Sequence, residues 1–226
     1  DSIKINEIKP SAIEFVDKTT LKQIKYKFDK QTKCLLFVEF DDKIITSEKR
    51  LKSGIIGKIV KRLIKESEIF QWWKFRDSSL HYSLKSIKKE KRIPHTIEDS
   101  AVPIENLSKL FVVLDKINKK FNTKSITYGH VGNGNIHIRL ISDRKRKEMI
   151  KKITSQFFDE IFRLDGTITA EHGDGLARSE FIKKQYGEKN YQIFKEIKKL
   201  FDPNNILNPG KIISKKSSII ENLNNF

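Results

Sequence analysis

Apolar and polar positions recur along this chain with two different periods, and the change of period marks out its elements. Cys34-Leu35-Leu36-Phe37-Val38-Glu39-Phe40 is a short apolar run closed by Asp41-Asp42, the pattern of a buried strand. Ser11 to Lys27 and Ser47 to Lys65 carry helical spacing instead. Leu107, Leu110, Val113, Leu114 and Ile117 fall at the three-and-four interval of an amphipathic helix over Asn106 to Phe121. Asp77 to Lys91 reads as a helix running into a loop, which Pro94 ends, and Ile97 to Val102 as a short extended piece. Arg144 to Arg163 is again helical. Beyond Asp165-Gly166 come helices at Leu176 to Tyr186 and Tyr191 to Phe201, then the turn-rich Asp202 to Gly210.

Helices interspersed with strands predict an α+β fold with an antiparallel sheet. The expected division is an α+β unit at 1–165, a small helical segment at 166–213 and a polar, Asn-rich tail at 214–226.

Composition narrows the class. There are 46 Lys+Arg against 29 Asp+Glu, a formal charge of +17, yet the charge is scattered. The runs Lys85 to Arg92 and Arg144 to Lys147 read as solvated faces, so nucleic acid is not the expected partner. A basic module for nucleic acid or anionic membrane is the alternative class. A single cysteine, Cys34, excludes an intrachain disulfide and an iron–sulfur motif, and fits a reducing compartment. The apolar runs are far shorter than the ~20 residues of a membrane span. The expected location is the cytoplasm, at most peripheral at the inner face of a membrane. The missing initiator Met points to a processed chain or a piece of a longer one.

Candidate chemistry gathers at Ser125-Ile-Thr-Tyr-Gly-His-Val-Gly-Asn-Gly-Asn-Ile-His-Ile-Arg-Leu-Ile141. Asn133-Gly134 is a two-residue hairpin signal. A turn there sets His130 opposite His137 and Tyr128 opposite Arg139 on one face, with Val131, Ile136, Ile138 and Leu140 on the other. Two imidazoles are too few for a stable metal site, and an ordinary solvent-facing sheet surface is the plain alternative.

A third ligand is available in Gly166-Thr-Ile-Thr-Ala-Glu171-His172-Gly173-Asp174-Gly175, read as a second strand entering a Gly-rich bend and a helix. Glu171 completing a His, His, Glu metal set, with His172 free as a proton acceptor, is one consistent division. Asp174 reads as a helix N-cap and the flanking glycines as turn geometry. Arg76, after the aromatics Phe70, Trp72, Trp73 and Phe75, either covers aromatic faces or clamps a substrate carboxylate.

Three ordered stretches, Gly129 through His137, Glu171 through Gly175, and Phe201-Asp-Pro-Asn-Asn-Ile-Leu-Asn-Pro-Gly-Lys211, resemble successive signatures of the FAD-linked oxidase C-terminal domain. This is the substrate half of flavoprotein D-2-hydroxyacid dehydrogenases of the D-lactate dehydrogenase, glycolate oxidase and D-2-hydroxyglutarate dehydrogenase type. Weaker similarity at Ser11 to Asp17, Leu35 to Phe40 and Ile97 to Pro103 extends the match over nearly the whole chain. Glu171 through Lys211 is most similar to the branch followed by an iron–sulfur domain.

The resemblance implies a ferredoxin-like substrate cap and a helical segment that faces a flavin. It implies a divalent metal (Zn, Mn or Fe) on His130, His137 and Glu171, and His172 as the base. It further implies Arg76 and Arg139 at the substrate and Asn208 near the FAD ring. The implied partners are a small 2-hydroxyacid, an FAD-binding domain in cis or in trans, and an iron–sulfur domain or subunit. Asn133 stands where the family usually has Asp, and no lysine lies near Ile97 of the kind that binds hydroxyglutarate. No Gly-rich segment here cradles a pyrophosphate, so FAD is expected to be held mainly by a domain outside this chain.

Overall fold

The computed structural model describes residues 1–22, 26–41, 44–85, 87–88, 96–143 and 146–214. Residues 89–95 with Pro94, the start of the basic run Arg144 to Lys147, and nearly all of the polar tail lie outside the described residues. In chain order the strands are β1 (Ala12–Asp17), β2 (Cys34–Glu39), β3 (Asp99–Ala101), β4 (Lys124–Gly129) and β5 (Asn135–Ile141). The helices are α1 (Ser2–Asn6), α2 (Lys18–Leu21), α3 (Ile44–Gly54), α4 (Glu66–Asp77), α5 (Ser79–Lys85), α6 (Leu107–Phe121), α7 (Lys147–Arg163) and α8 (Ser179–Phe201). The strands form one sheet in the order β2-β1-β4-β5-β3, every pair antiparallel. The α+β expectation is met. No helix among the described residues is long and apolar enough to cross a membrane.

Strand alternation gives the sheet two unlike faces. Ile13, Ile136, Ile138 and Leu140 point to one, where α6 supplies Leu107, Leu110, Leu114 and Ile117 and α7 supplies Ile153, Phe157, Phe158 and Ile161. These four α7 side chains are essentially inaccessible to water, and each such burial is worth about 1.5–3 kcal/mol. Ile168, Phe181, Ile182 and Tyr191, from beyond α7, join the same core. Thr167 bridges Ala101 and so extends the sheet past β3. α6 ends where Asn122 turns left-handed and the Thr123 N–H reaches Asn118 O, the usual helix-stop chemistry of asparagine.

The opposite face carries Glu14 and Val16 from β1, Tyr128 from β4, His137 and Arg139 from β5, and Asp99 from β3. At its β1–β2 end an aromatic layer of Tyr26, Phe28, Phe37, Trp72 and Phe75 packs around Val16 and Tyr128. α4 lies over this end, and that packing carries its last-turn residue Arg76 toward the polar part of the face.

Several local expectations are corrected. Ser11 to Lys27 is not one helix: Ala12–Asp17 is a strand, and the Asp17 side chain caps the short α2 by accepting from Thr19 N and Thr20 N. Glu14 and Val16 facing one way and Ile13 and Phe15 the other are the period of two that tertiary pairing selects. β2 is half-buried because it is the edge of the sheet, and Cys34 is exposed. The helix expected to run to Lys65 stops at Gly54, and a separate helix at Glu66–Asp77 carries the aromatics. The stretch after Gly166 makes a single bridge to Ala101 and not a full strand. The two C-terminal helices are found as expected, on either side of non-helical Gly187 (φ 79°, ψ 165°) within α8, but the cap of the first is Arg178, while Asp174 accepts from Thr169 Oγ1.

The hairpin also differs. Val131–Asn133 makes a helical turn that ends at left-handed Gly134 (φ 72°), so the link is longer than two residues. His137 therefore faces Tyr128, and Arg139 faces Ile126. A Cβ at Gly134 would lie 1.8 Å from Val102 O, so only glycine fits there.

Candidate active site

Two acids at the start of β3 organise the site. Asp99 is fully buried, and its Oδ2 accepts the backbone N–H of Ala170, Glu171 and His172 at 3.0, 3.0 and 2.8 Å. Its Oδ1 takes Asn135 Nδ2 at 3.2 Å. Three successive N–H groups on one carboxylate oxygen curl the chain at 170–172 and set Glu171 and His172 over the sheet. Glu98, also buried, lies between Arg139 Nη2 (3.1 Å), Arg178 Nη2 (3.4 Å) and His172 Nδ1 (2.9 Å to Oε1).

The imidazoles meet at Glu171. Its Oε1 lies 3.2 Å from His130 Nε2, 3.1 Å from His137 Nε2 and 3.4 Å from His172 Nε2. The His137 and His172 rings stack at 5.0 Å and 4°, and His130 meets His137 edge-on at 5.2 Å. The longer hairpin link thus still brings His130 to His137, although they are not cross-strand partners.

The Nδ1 sides face carboxylates. His130 Nδ1 is 2.8 Å from Glu14 Oε1, while Glu14 Oε2 accepts from Arg76 Nε at 2.6 Å and also pairs with Arg76 Nη2. A carboxylate only accepts, so the short Glu14 and Glu98 contacts favour a proton on Nδ1 of His130 and His172, while Glu171 Oε1 faces their Nε2 atoms at the longer 3.2 and 3.4 Å and Arg76 Nη2 also lies 3.1 Å from His130 Nδ1. Glu14 holds the His130 pKa above its ordinary value. Burial pushes His137 down to about 4, so that ring is neutral at ordinary pH. Its buried Nδ1 has no hydrogen-bond partner and faces Glu98 and Asp99 oxygens at 3.8 and 3.9 Å. Burial also raises the Tyr128 phenol.

This donor set fits a divalent metal. Ligand atoms that share one divalent ion at about 2.0–2.1 Å stand about 3.3 Å apart in a tetrahedral site. Glu171 Oε1 keeps such a distance from each of the three Nε2 atoms, while the parallel stacking of His137 and His172 leaves one of that pair outside the ligand set. Carboxylates behind the imidazoles are the usual outer support of such sites. Asp99, His137, Glu171 and His172 also have candidate ligand atoms within 4.8 Å of one another. The Asp99 carboxylate is already committed to three backbone N–H groups and Asn135, so its part is to hold the loop.

Residues 1–212 match the family model described as FAD linked oxidases, C-terminal domain. The chain belongs to this family. It is 30% identical over 223 residues to the glycolate oxidase subunit GlcD of Bacillus subtilis (strain 168), covering 92% of this chain and 46% of that protein. It is 32% identical over 117 residues to a probable mitochondrial D-2-hydroxyglutarate dehydrogenase of Oryza sativa subsp. japonica, covering 51% and 20% of the two. A D-lactate dehydrogenase of Anaerostipes hadrus is 30% identical over 121 residues, covering 52% and 26%. The chain spans half or less of the length of these relatives.

In this FAD-linked oxidase C-terminal domain, His130, His137, Glu171, His172 and Arg76 come together on the sheet's polar face. Arg139 sits beneath them, only 6% exposed, with Nη2 on Glu98 and Nε 3.3 Å from the Tyr128 hydroxyl. Asn208 is left-handed (φ 47°) and exposed, in the loop after α8. That loop is held by Asp202, whose oxygens accept from Ile206 N and Leu207 N, both at 2.9 Å. Sequence reasoning missed Glu14, Glu98, Asp99 and Arg178 as members of the site. Their signal is an acid inside an apolar extended run, Ile13-Glu14-Phe15-Val16 and Ile97-Glu98-Asp99, since a buried carboxylate requires partners.

Proposed function

We propose that this chain is the substrate- and metal-binding portion of a FAD-dependent oxidoreductase that converts a D-2-hydroxyacid to the 2-oxoacid. The observation that carries this reading is the convergence of three imidazole Nε2 atoms on one Glu171 oxygen, with acids behind the rings. In this reading His130, His137 and Glu171 hold the divalent ion. His172, nearly half exposed, takes the substrate hydroxyl proton at Nε2. Arg76, fixed by Glu14 through Nε and Nη2, offers Nη1 to the substrate carboxylate in place of its long 3.8 Å contact with exposed Asp77, and Arg139 acts through Glu98. When bound, FAD supplies the hydride acceptor and the metal supplies Lewis-acid polarisation of the hydroxyl.

FAD would be held mainly by a domain outside this chain, in cis or in trans, with Asn208 and the segment 166–213 facing it and an iron–sulfur protein as a further electron acceptor. A ferredoxin-like cap is supported by the order β3-α6-β4-β5-α7-Thr167, in which Thr167, β3, β5 and β4 lie side by side.

The test is anaerobic flavin reduction by a D-2-hydroxyacid in the complete flavoenzyme. His172→Ala is expected to lower the rate by at least about 100-fold with little change in substrate affinity. Reduction at the parent rate would remove His172 from the chemistry.

A further inference from the structure

We propose that Glu98 is the positioning residue for His172: a buried carboxylate that keeps the proton on Nδ1 and leaves the Nε2 lone pair facing the substrate. The proposal rests on the reading of His172 as the base and names what makes it one.

Only Glu98 meets the Nδ1 edge of this ring among the described contacts, and it does so with both oxygens, 2.9 Å from Oε1 and 3.1 Å from Oε2. Glu98 is 2% exposed, whereas the His172 side chain is 44% exposed. The ring therefore spans from a water-free anchor to an open edge. On the opposite edge Glu171 Oε1 lies 3.4 Å from Nε2, farther than either Glu98 oxygen from Nδ1, so the nearer acid takes the proton. Two further restraints locate the ring without deciding where that proton sits. The His172 N–H is fixed on Asp99 Oδ2 at 2.8 Å, and the ring face lies flat on His137. Stacking is indifferent to a 180° ring flip, which would set a carbon against the carboxylate. The hydrogen bond to Glu98 makes the flip costly, and with it the wrong tautomer.

Arg139 and Arg178 complete the device. They meet Glu98 from other directions, and Arg178 is itself tied to Gly173 O at 2.6 Å. The carboxylate is thus held in place by groups other than the imidazole it orients. A neighbour of the same loop, Gly173, is fixed by the same guanidinium, so β3, β5 and the start of α8 share one anchor. Truncating Glu98 to Ala would leave two guanidiniums buried without their carboxylate and could unfold the chain. Glu98→Gln keeps the volume, and its amide can donate to Nδ1, which drives the ring proton to Nε2.

The experiment is a long-range proton–nitrogen NMR spectrum of the 226-residue chain labelled with nitrogen-15 histidine. It is recorded in mildly alkaline solution. His172→Asn assigns the signal. The parent chain is expected to show His172 protonated on Nδ1, and Glu98→Gln is expected to move that proton to Nε2 while the His130 signals stay in place. A parent His172 protonated on Nε2 overturns the proposal, and this outcome needs no variant to fold. A Glu98→Gln chain that folds and keeps the proton on Nδ1 overturns it as well. In the complete flavoenzyme, Glu98→Gln is expected to slow flavin reduction about 10²–10⁴-fold at saturating substrate, with substrate affinity changed less than about threefold. If His172→Ala leaves reduction intact while the tautomer result stands, it is the base assignment that fails and not the positioning of the ring.

Discussion

Asp99 holds His172 by its backbone, Oδ2 to N–H at 2.8 Å, and the same oxygen carries the two preceding N–H groups. A strand residue thereby shapes a loop more than 70 positions away in the chain. Glu171 and His172, adjacent in sequence, both reach the imidazole cluster because of this curl, which an extended segment would not allow.

Asp99→Ala is therefore expected to destabilise the chain by about 3–5 kcal/mol, since it strands buried donors, and to be visible as a lower urea midpoint. Asp99→Asn, which retains one acceptor, should cost about half as much. If either variant matched the parent in midpoint and in zinc affinity, the loop would not depend on this carboxylate.

Zinc titrated into the chain is expected to raise its melting temperature, and His137→Ala to abolish the rise. Glu14→Gln should weaken zinc about 10–100-fold by loosening His130 without removing a ligand. An unchanged affinity in Glu14→Gln would place His130 outside the metal set. Isothermal calorimetry distinguishes these results.

Two glycines in left-handed geometry should respond very differently to alanine. At Gly134 (φ 72°) the new Cβ would meet Val102 O at 1.8 Å, and the expected cost is at least about 3 kcal/mol. At Gly173 (φ 73°) nothing lies within 4 Å, leaving only backbone strain of about 1–2 kcal/mol. Denaturant unfolding of the pair measures the difference, and equal losses would mean that the close approach to Val102 is absent in solution.

The loop bearing Asn208 should loosen in acid. Lys198 beside Asp202, and after it the N–H groups of Ile206 and Leu207, hold the Asp202 carboxyl below its ordinary 3.8. A lowered folded-state value means that its stabilisation is complete above 3.8 and is lost as pH falls through the folded value. Amide exchange at Ile206 and Leu207, corrected for intrinsic rates, should lose protection over that range, and Asp202→Asn should reproduce the loss at neutral pH. Protection that persists in the variant would show the loop to be held by other contacts.

Much of the fold was written locally. The spacing of Leu107, Leu110, Leu114 and Ile117 makes α6 amphipathic wherever it is placed, and Ile136, Ile138 and Leu140 must share a face of β5 because side chains alternate. Parity likewise assigned His137 and Arg139 to the opposite face, even though the pairing register moved by two residues. The ordered stretches Gly129 through His137, Glu171 through Gly175 and Phe201 through Lys211 carried the family resemblance because each is a short continuous run.

Other features exist only once the chain has closed on itself. The hairpin link lengthened because Val131 buries itself in the core and Gly134 packs against Val102, contacts no two-residue turn could provide. Ala12–Asp17 became a strand because β2 and β4 offer β1 two ladders of hydrogen bonds. The acids Glu14 and Glu98 gave no local hint of their partners, since Arg76, Arg139 and Arg178 lie 62, 41 and 80 residues away. A periodic pattern specifies which side of an element is dry. Only the tertiary structure decides which distant charge makes a buried carboxylate tolerable, because that cost is set by desolvation and can be offset only by a partner brought close in space.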